Sequence, residues 1–387
     1  MRTVLLAFGT RPEAIKMAPV IKELERRAGD FKVIACVTAQ HRRMLDQVLS
    51  IFDIQPDYDL DIMKENQDLF DITANALTGL KEVFGATKPD IVLVQGDTTT
   101  AFVAGLAAYY LKIPVGHIEA GLRTWNKYSP FPEEVNRRLL SVVADYHFAP
   151  TEWSRSNLIR EGTDAERIWV TGNTVIDALK MIRSRQETGP AKAALADHFR
   201  DRWGIAFPGG RRMILVTGHR RENFGEGFRN ICMALKTIAQ ERPDVTIVYP
   251  VHLNPSVQRP VNEILSDVPN IHLIDPVEYE HFIFLMARSY MILTDSGGVQ
   301  EEAPSLGKPV LVMREVTERP EGIEAGVVKL VGTDSRKIVT SVGELLDDGA
   351  AYGGMSEAVN PYGDGRAAER IVGILSSSIT QKGNFRS

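Results

Sequence analysis

The sequence predicts an α/β protein of two Rossmann-like, doubly wound domains. Three observations carry this. Short β-branched runs alternate with helical stretches along the chain; the runs are continuously apolar, as strands covered on both faces are; and 387 residues exceed what one hydrophobic core usually supports.

In order, TVLLAF leads into GTRPEAIKMAPVIKELERR, and FKVIACVT into AQHRRMLDQVLSIF. DIVLVQ leads into GDTTTAFVAGLAAYYL, while PVGHIEA runs through a long loop to EEVNRRLLSVVADY. RMILVTG precedes HRRENFGEGFRNICMALKTIAQ, VTIVYP precedes VHLNPSVQRPVNEIL, and YMILTD precedes SGGVQEEAPSLG. Between roughly 181 and 210 a polar helix and a Pro-Gly-Gly turn break the pattern. The boundary is placed there: residues 1–180 form the first domain and 181–365 the second, with a C-terminal helix at about 366–387 packing back on the first.

Composition excludes several classes. Forty-four per cent hydrophobic and 25% charged residues are the profile of a soluble globular protein. The 45 basic and 50 acidic residues are mixed along the chain, net −5, which argues against a nucleic-acid or membrane surface. Cys36 and Cys232 stand far apart in apolar settings, with no CxxC and no HExxH, so buried thiols in a reducing cytoplasm are expected and no metal site. MRTVLLAFGTRPE reads as a strand rather than a secretion signal, and no apolar run reaches the roughly 18 residues that span a bilayer.

Ligands of open parallel sheets bind beyond the carboxyl ends of the strands, so strand ends are where chemistry is sought. In GTRPEAIK, Thr10 and Glu13 fit a capping box and Pro12 sits in the first turn. Arg11 and Lys16 add cations to the helix start, which would favour an anion; the plainer reading is a capped surface helix. In VQGDTTT, Asp97 is either an N-cap or a functional carboxylate. Glu119 follows a strand directly, and the next helix opens with Glu133 and Glu134. If strands 91–95 and 114–118 are neighbours, about 5 Å apart, Asp97 and Glu119 share one rim. Carboxylates so grouped raise one another's pKa and suit acid/base work, although Glu133 is equally at home as a first-turn residue. His219 follows a strand and a glycine and is flanked by Arg220 and Arg221, which points to function; His252 stands at a similar strand end. The other histidines read as core or surface residues. GEGFRN fails as a dinucleotide fingerprint, no GxxxxGK[ST] is present, and the Asp-x-Asp of DYDLD reads as a solvated loop.

LTDSGGVQEE, at 293–302, is the remaining strand end. Ser296, Gly297 and Gly298 would let backbone approach a ligand at a helix N-terminus, and Glu302, one turn on, could accept from ribose hydroxyls. A nucleoside diphosphate fits that combination better than phosphate alone.

Through GTRPEAIK, QGDTTT, HIEAGLRT, SPFPEE, TGHRREN, TDSGGVQEEAPSLGKPV, ERPE and NPYGDG, in this order, the chain resembles the bacterial non-hydrolysing UDP-N-acetylglucosamine 2-epimerases over essentially its whole length. The resemblance implies the glycosyltransferase B architecture with the active site in the cleft between two Rossmann-like halves. It implies Asp97, Glu119, Glu133 and His219 as catalytic residues, and Arg11, Lys16, Phe282, Ser296, Gly297, Gly298, Glu302 and Arg319 as substrate-binding residues, with Phe282 on the uracil and Val277 where some members carry glutamine. It further implies an allosteric site for a second substrate molecule at Gln40, His41, Arg220 and His252, with Arg43 and Asn66 departing from the residues some members have. The implied partner is UDP-N-acetylglucosamine with no cofactor or metal, in a cytoplasmic homodimer. Alternatives are a hydrolysing epimerase, a glycosyltransferase of the same fold, and a nucleotide-sugar-binding regulator without turnover.

Overall fold

The computed structural model describes residues 1–39, 42–63, 67–207 and 210–378. It divides into two compact units: residues Met1–Ala178 with Tyr362–Ser387, and Leu179–Pro361.

The first unit runs β1 (Arg2–Phe8), α1 (Arg11–Arg26), β2 (Phe31–Val37), α2 (Arg42–Ile51), β3 (Tyr58–Asp59), α3 (Leu69–Thr87), β4 (Ile91–Gln95), α4 (Thr99–Tyr110), β5 (Val115–Ile118), α5 (Glu133–Val143), β6 (Tyr146–Ala149), α6 (Glu152–Arg160) and β7 (Ile168–Val170). Helix α7 (Thr174–Gln186) starts in it and ends in the second unit. All strands pair in parallel, in the order β3-β2-β1-β4-β5-β6-β7. The order reverses between β1 and β4, the switch point where such sheets bind ligands. Leu5, Ala7, Val92 and Val94 from the sheet pack with Phe84 and Leu80 of α3, all buried. Each such side chain contributes about 1.5–3 kcal/mol on burial.

The second unit continues with α8 (Gly189–Trp203), β8 (Arg212–Thr217), α9 (Glu226–Glu241), β9 (Val245–Pro250), α10 (Pro255–Leu265), β10 (Ile271–Ile274), α11 (Tyr279–Arg288), β11 (Met291–Thr294), α12 (Gly297–Glu302), β12 (Val310–Val312), α13 (Pro320–Glu324), β13 (Val328–Leu330), α14 (Ser335–Asp347) and α15 (Gly349–Ser356). Its parallel sheet is ordered β10-β9-β8-β11-β12-β13, with the switch point between β8 and β11. Ile214, Val216, Ile247 and Leu293 pack against Phe228 and Leu235 of α9.

Helix α16 (Ala367–Ser378) belongs to the first unit and packs on α1. Its first amides, from Ala367 and Ala368, donate to the Asp177 carboxylate at 3.2 and 2.9 Å. Near its other end the Arg2 guanidinium donates to the carbonyls of Leu375 and Ser376. Burial pushes Asp177 up to about 6, against the pull of those amides.

Two details differ from the sequence reading. DYDLD is not a solvated loop throughout: Tyr58–Asp59 form the edge strand β3, and the Asp57 carboxylate accepts the Ala35 amide at 2.8 Å. The polar stretch after 181 is not one helix, since α7 ends at Gln186 and α8 starts at Gly189 with Pro190 in its first turn. Both cysteines are buried and unpaired, and burial raises each thiol to about 12. Among the described residues no helix is long and apolar enough to cross a membrane.

Candidate active site

In the first unit the site residues gather where the central strands end. Parallel pairing of β1 with β4 and of β4 with β5, the last in register Gln95↔Ile118, brings the turns after these three strands to one edge. The turn after β1 is closed by Glu13, whose Oε2 accepts the amides of Gly9 at 3.0 Å and Thr10 at 2.8 Å. Its other oxygen accepts the Thr98 hydroxyl at 2.6 Å, so one carboxylate ties the β1–α1 turn to the β4–α4 turn. The sequence shows only the local half of this role, the capping box.

Lys16, one turn further along α1, reaches Glu119 Oε1 at 2.5 Å. Glu119 also accepts from Asn173 at 3.1 Å and, through Oε2, from the Gln95 amide. Its backbone is left-handed, φ 63°, a conformation that costs a non-glycine residue on the order of 1–3 kcal/mol. The flanking ladder bonds, Gly96 N to Ile118 O and Ala120 N to Phe148 O, hold it there.

Asp97 sits on the neighbouring turn, a quarter exposed, with Arg137 of α5 at 2.7 Å. Burial raises its pKa; Arg137 opposes that, while Glu119 and Glu133 push it up further and Lys16 pulls it down. Asp97 is therefore inclined to hold a proton, which suits a group that must take one up and give it back. Its turn is fixed by Asn136, which donates to the Asp97 carbonyl at 3.0 Å, and by His117, whose Nε2 donates to the Gly96 carbonyl at 2.7 Å. That ring is a core residue, its pKa lowered to about 3 by burial and by His147. Glu133 opens α5 with its Oε2 buried and without a hydrogen-bond partner. Glu134 instead faces inward, accepting the amides of Thr124 and Trp125, both at 3.0 Å, and so holds the loop that leads to α5. The structure thus brings Lys16, Asp97, Glu119 and Glu133 together and adds Gln95, Arg137 and Asn173. Arg137 was findable, four residues beyond Glu133 on one helix face. Arg11 is exposed on the first residue of α1.

In the second unit, β8 and β11 run side by side to the switch point, Thr217 beside Thr294, with their hydroxyls 2.6 Å apart. His219 follows β8 and Asp295 follows β11. Asp295 is fully buried; its Oδ2 accepts the amides of His219 and Arg220, each at 2.8 Å, and the Asn223 side chain at 3.3 Å. Sequence reasoning read past this residue as the end of a strand. His219 stays 41% exposed in its side chain and stacks on His252, centroids 5.5 Å apart. Arg220 extends to Glu318 at 3.4 Å. Arg220 and His252, two residues of the implied allosteric set, thus border His219; Gln40 and His41 lie outside the described residues, as does Asn66.

Ser296 caps the short helix α12 after Asp295. A Cβ on Gly297 would lie 2.5 Å from the Arg319 guanidinium, so a larger residue there would displace the end of that side chain. At Gly298 a Cβ would stand 3.7 Å from Glu302, an ordinary contact, and protein packing does not demand glycine. Arg319 is gripped by Glu301 at 2.6 Å and Glu318 at 2.7 Å. Glu301, which the sequence left as a helix residue, is buried and is that anchor. Burial pushes Glu318 up, but Arg319 and Arg314 together outweigh it and hold the carboxyl down at about 2. Glu302 is buried and accepts the Tyr279 hydroxyl on Oε1. Tyr279 lies on α11 three residues before the half-buried Phe282, so one helix face carries the partner of the expected ribose ligand and the residue expected on the base.

Among the described residues no group of three His, Cys, Asp or Glu side chains is arranged to hold a metal ion. A hollow of about 860 Å³ along the other flank of α5, lined among others by Arg138, Val142, His147 and Arg167, contains none of the three rim carboxylates.

The family model described as UDP-N-acetylglucosamine 2-epimerase matches residues 22–376. The chain is similar to UDP-N-acetylglucosamine 2-epimerase of Campylobacter jejuni, 57% identical over 376 residues covering 97% of each chain. It is also similar to the Salmonella typhimurium protein of that name, 58% identical over 375 residues, 97% of this chain and 98% of the relative. Among solved structures it resembles the UDP-GlcNAc 2-epimerase from Neisseria meningitidis bound to UDP-GlcNAc, with 53% identity, TM-score 0.89, and coverage of 96% of this chain and 99% of that one.

Proposed function

The chain belongs to the UDP-N-acetylglucosamine 2-epimerase family, and from that premise we propose that it inverts C2 of UDP-N-acetylglucosamine reversibly, without hydrolysis, to give UDP-N-acetylmannosamine. The observation that carries the proton chemistry is the carboxylate rim of the first unit, where Asp97 has a raised pKa beside Glu119 and Glu133.

No carbonyl stands next to C2 on the sugar ring, so its proton is only weakly acidic. Its removal becomes feasible when the anomeric C–O bond breaks with it: the electron pair of the C2–H bond forms the C1–C2 double bond, UDP departs with the C–O pair, and a 2-acetamidoglucal remains. A proton then returns to C2 on the opposite face and UDP re-adds at C1. Asp97, Glu119 and Glu133 share these proton tasks, each placed group contributing about 10²–10⁴-fold. Lys16 and Arg137 beside them keep the total negative charge of the rim in check.

The second unit takes the nucleotide. His219, Arg319 and the turn Ser296–Gly298 meet the diphosphate, a charge-assisted hydrogen bond being worth on the order of 1.5–3 kcal/mol. Glu302 meets the ribose with Tyr279 holding one oxygen, and Phe282 meets the uracil. Arg11 is the further substrate-binding cation, at the start of α1. The product is a precursor of N-acetylmannosamine-type sugars for cell-surface polysaccharide.

Incubation with UDP-N-acetylglucosamine in deuterium oxide tests this. Deuterium at C2 together with UDP-N-acetylmannosamine is the expected result. Free N-acetylmannosamine with UDP would establish hydrolysis, and tight UDP binding with no exchange would leave a binder rather than an epimerase.

A further inference from the structure

The two oxygens of Asp295 are used unequally. Oδ2 receives three donors, the amides of His219 and Arg220 and the Asn223 side chain, whereas Oδ1 is buried with no hydrogen bond. An unused buried carboxylate oxygen is costly unless something claims it. The His219 ring can do so, with its Nδ1 3.4 Å away. The same carboxylate that fixes the His219 backbone therefore leaves an acceptor waiting at its side chain.

We propose that Asp295 is a positioning residue for the reaction: its Oδ1 accepts a hydrogen bond from His219 Nδ1–H when a diphosphate arrives at the other ring nitrogen, so that the ring takes up one proton from solvent on binding UDP and keeps both N–H groups. This rests on the reading that His219 meets the diphosphate. In the free protein the groups acting on the ring are Asp295, the stacked His252 at 5.5 Å, and Arg220 with its partner Glu318. Burial depresses the ring's proton affinity, His252 and Arg220 depress it further, and Asp295 alone of these raises it. The unliganded ring is thus neutral near pH 7. A bound diphosphate adds negative charge on the exposed side and tips the balance, and Oδ1 orients the resulting imidazolium toward the leaving group. Asn at 295 keeps an acceptor for the two amides but offers no charge to Nδ1–H.

The test is proton uptake on UDP binding, read from the dependence of calorimetric enthalpy on buffer ionisation, in wild type, Asp295→Asn and His219→Gln. Wild type is expected to bind UDP with uptake approaching one proton near neutral pH. In Asp295→Asn, UDP still binds but uptake disappears, and the basic limb of the kcat/KM profile moves down by about one pH unit. His219→Gln shows no uptake, and adding Asp295→Asn to it changes nothing further. Unchanged uptake and an unchanged basic limb in Asp295→Asn overturn the proposal. Should that variant not fold, the wild type decides: in ¹³C-histidine spectra a His219 ring still neutral in the UDP complex at pH 7 overturns it, and a protonated one supports it. If UDP does not bind the wild type at all, the nucleotide-site reading fails first and takes this proposal with it.

Discussion

The two sheet edges share a topology and differ in charge. Each lies at a switch point of a parallel sheet, after β1, β4 and β5 in the first unit and after β8 and β11 in the second. At the first, burial, reinforced by Glu119 and Glu133, makes Asp97 hold its proton more tightly than usual; at the second, Arg319 and Arg314 outweigh burial and Glu318 releases its proton more readily, at about 2. The fold supplies the same rim of strand ends twice, and local charge decides whether that rim handles protons or anions.

The largest effect that could break this contrast is at Asp97. Asp97→Asn should lower C2 deuterium exchange by about 10²–10⁴-fold while UDP binding is retained. Near-wild-type exchange would remove Asp97 from the proton-transfer set. Next comes Gly297→Ala, which forces the Arg319 guanidinium out of place. UDP affinity should fall about 10- to 100-fold, the loss of one charge-assisted hydrogen bond, as titration calorimetry would read. An unchanged affinity would mean that Arg319 does not serve the nucleotide.

Smaller effects concern stability. Glu301→Gln weakens the 2.6 Å ion pair with Arg319 and should cost about 1–3 kcal/mol in chemical denaturation. Two carboxyls, Glu318 and Asp177, should also answer pH with opposite sign. Glu318 is depressed on folding, so its contribution is present above its unfolded pKa and is lost as pH falls through about 2. Asp177 is raised to about 6, so its contribution is present below its unfolded pKa and is lost as pH rises through about 6. Wild type should lose on the order of 2 kcal/mol relative to Asp177→Asn between pH 4 and pH 7. A flat difference across that range would show that the α16 amides, rather than burial, govern this carboxyl.

Much of the molecule was legible in the chain because its signals are local. Strand, turn and helix follow one another in sequence, and the candidate carboxylates Asp97, Glu119 and Glu133 stand just after a strand or at a helix start. The short strands β6, β7, β10, β12 and β13 escaped notice because three or four residues leave too little pattern to read. What stayed hidden in the site depends on distant partners. Glu13 looks like a helix cap until Thr98 is placed against it, and Glu301 looks idle until Arg319 folds back from beyond β12. Asp295 reads as the end of a strand, and only β8 running beside β11 shows that it anchors His219.

The return of α16 to α1 also bears on the order in which the chain can become native during synthesis. The second unit is one continuous stretch, Leu179–Pro361, and its core is available once that stretch has left the ribosome. The first unit has its last strand by Val170 but lacks the cover of α1 until residues 367–378 follow. The part that begins first is therefore finished last, and the Asp177 carboxyl waits for its two amides through nearly two hundred residues of translation.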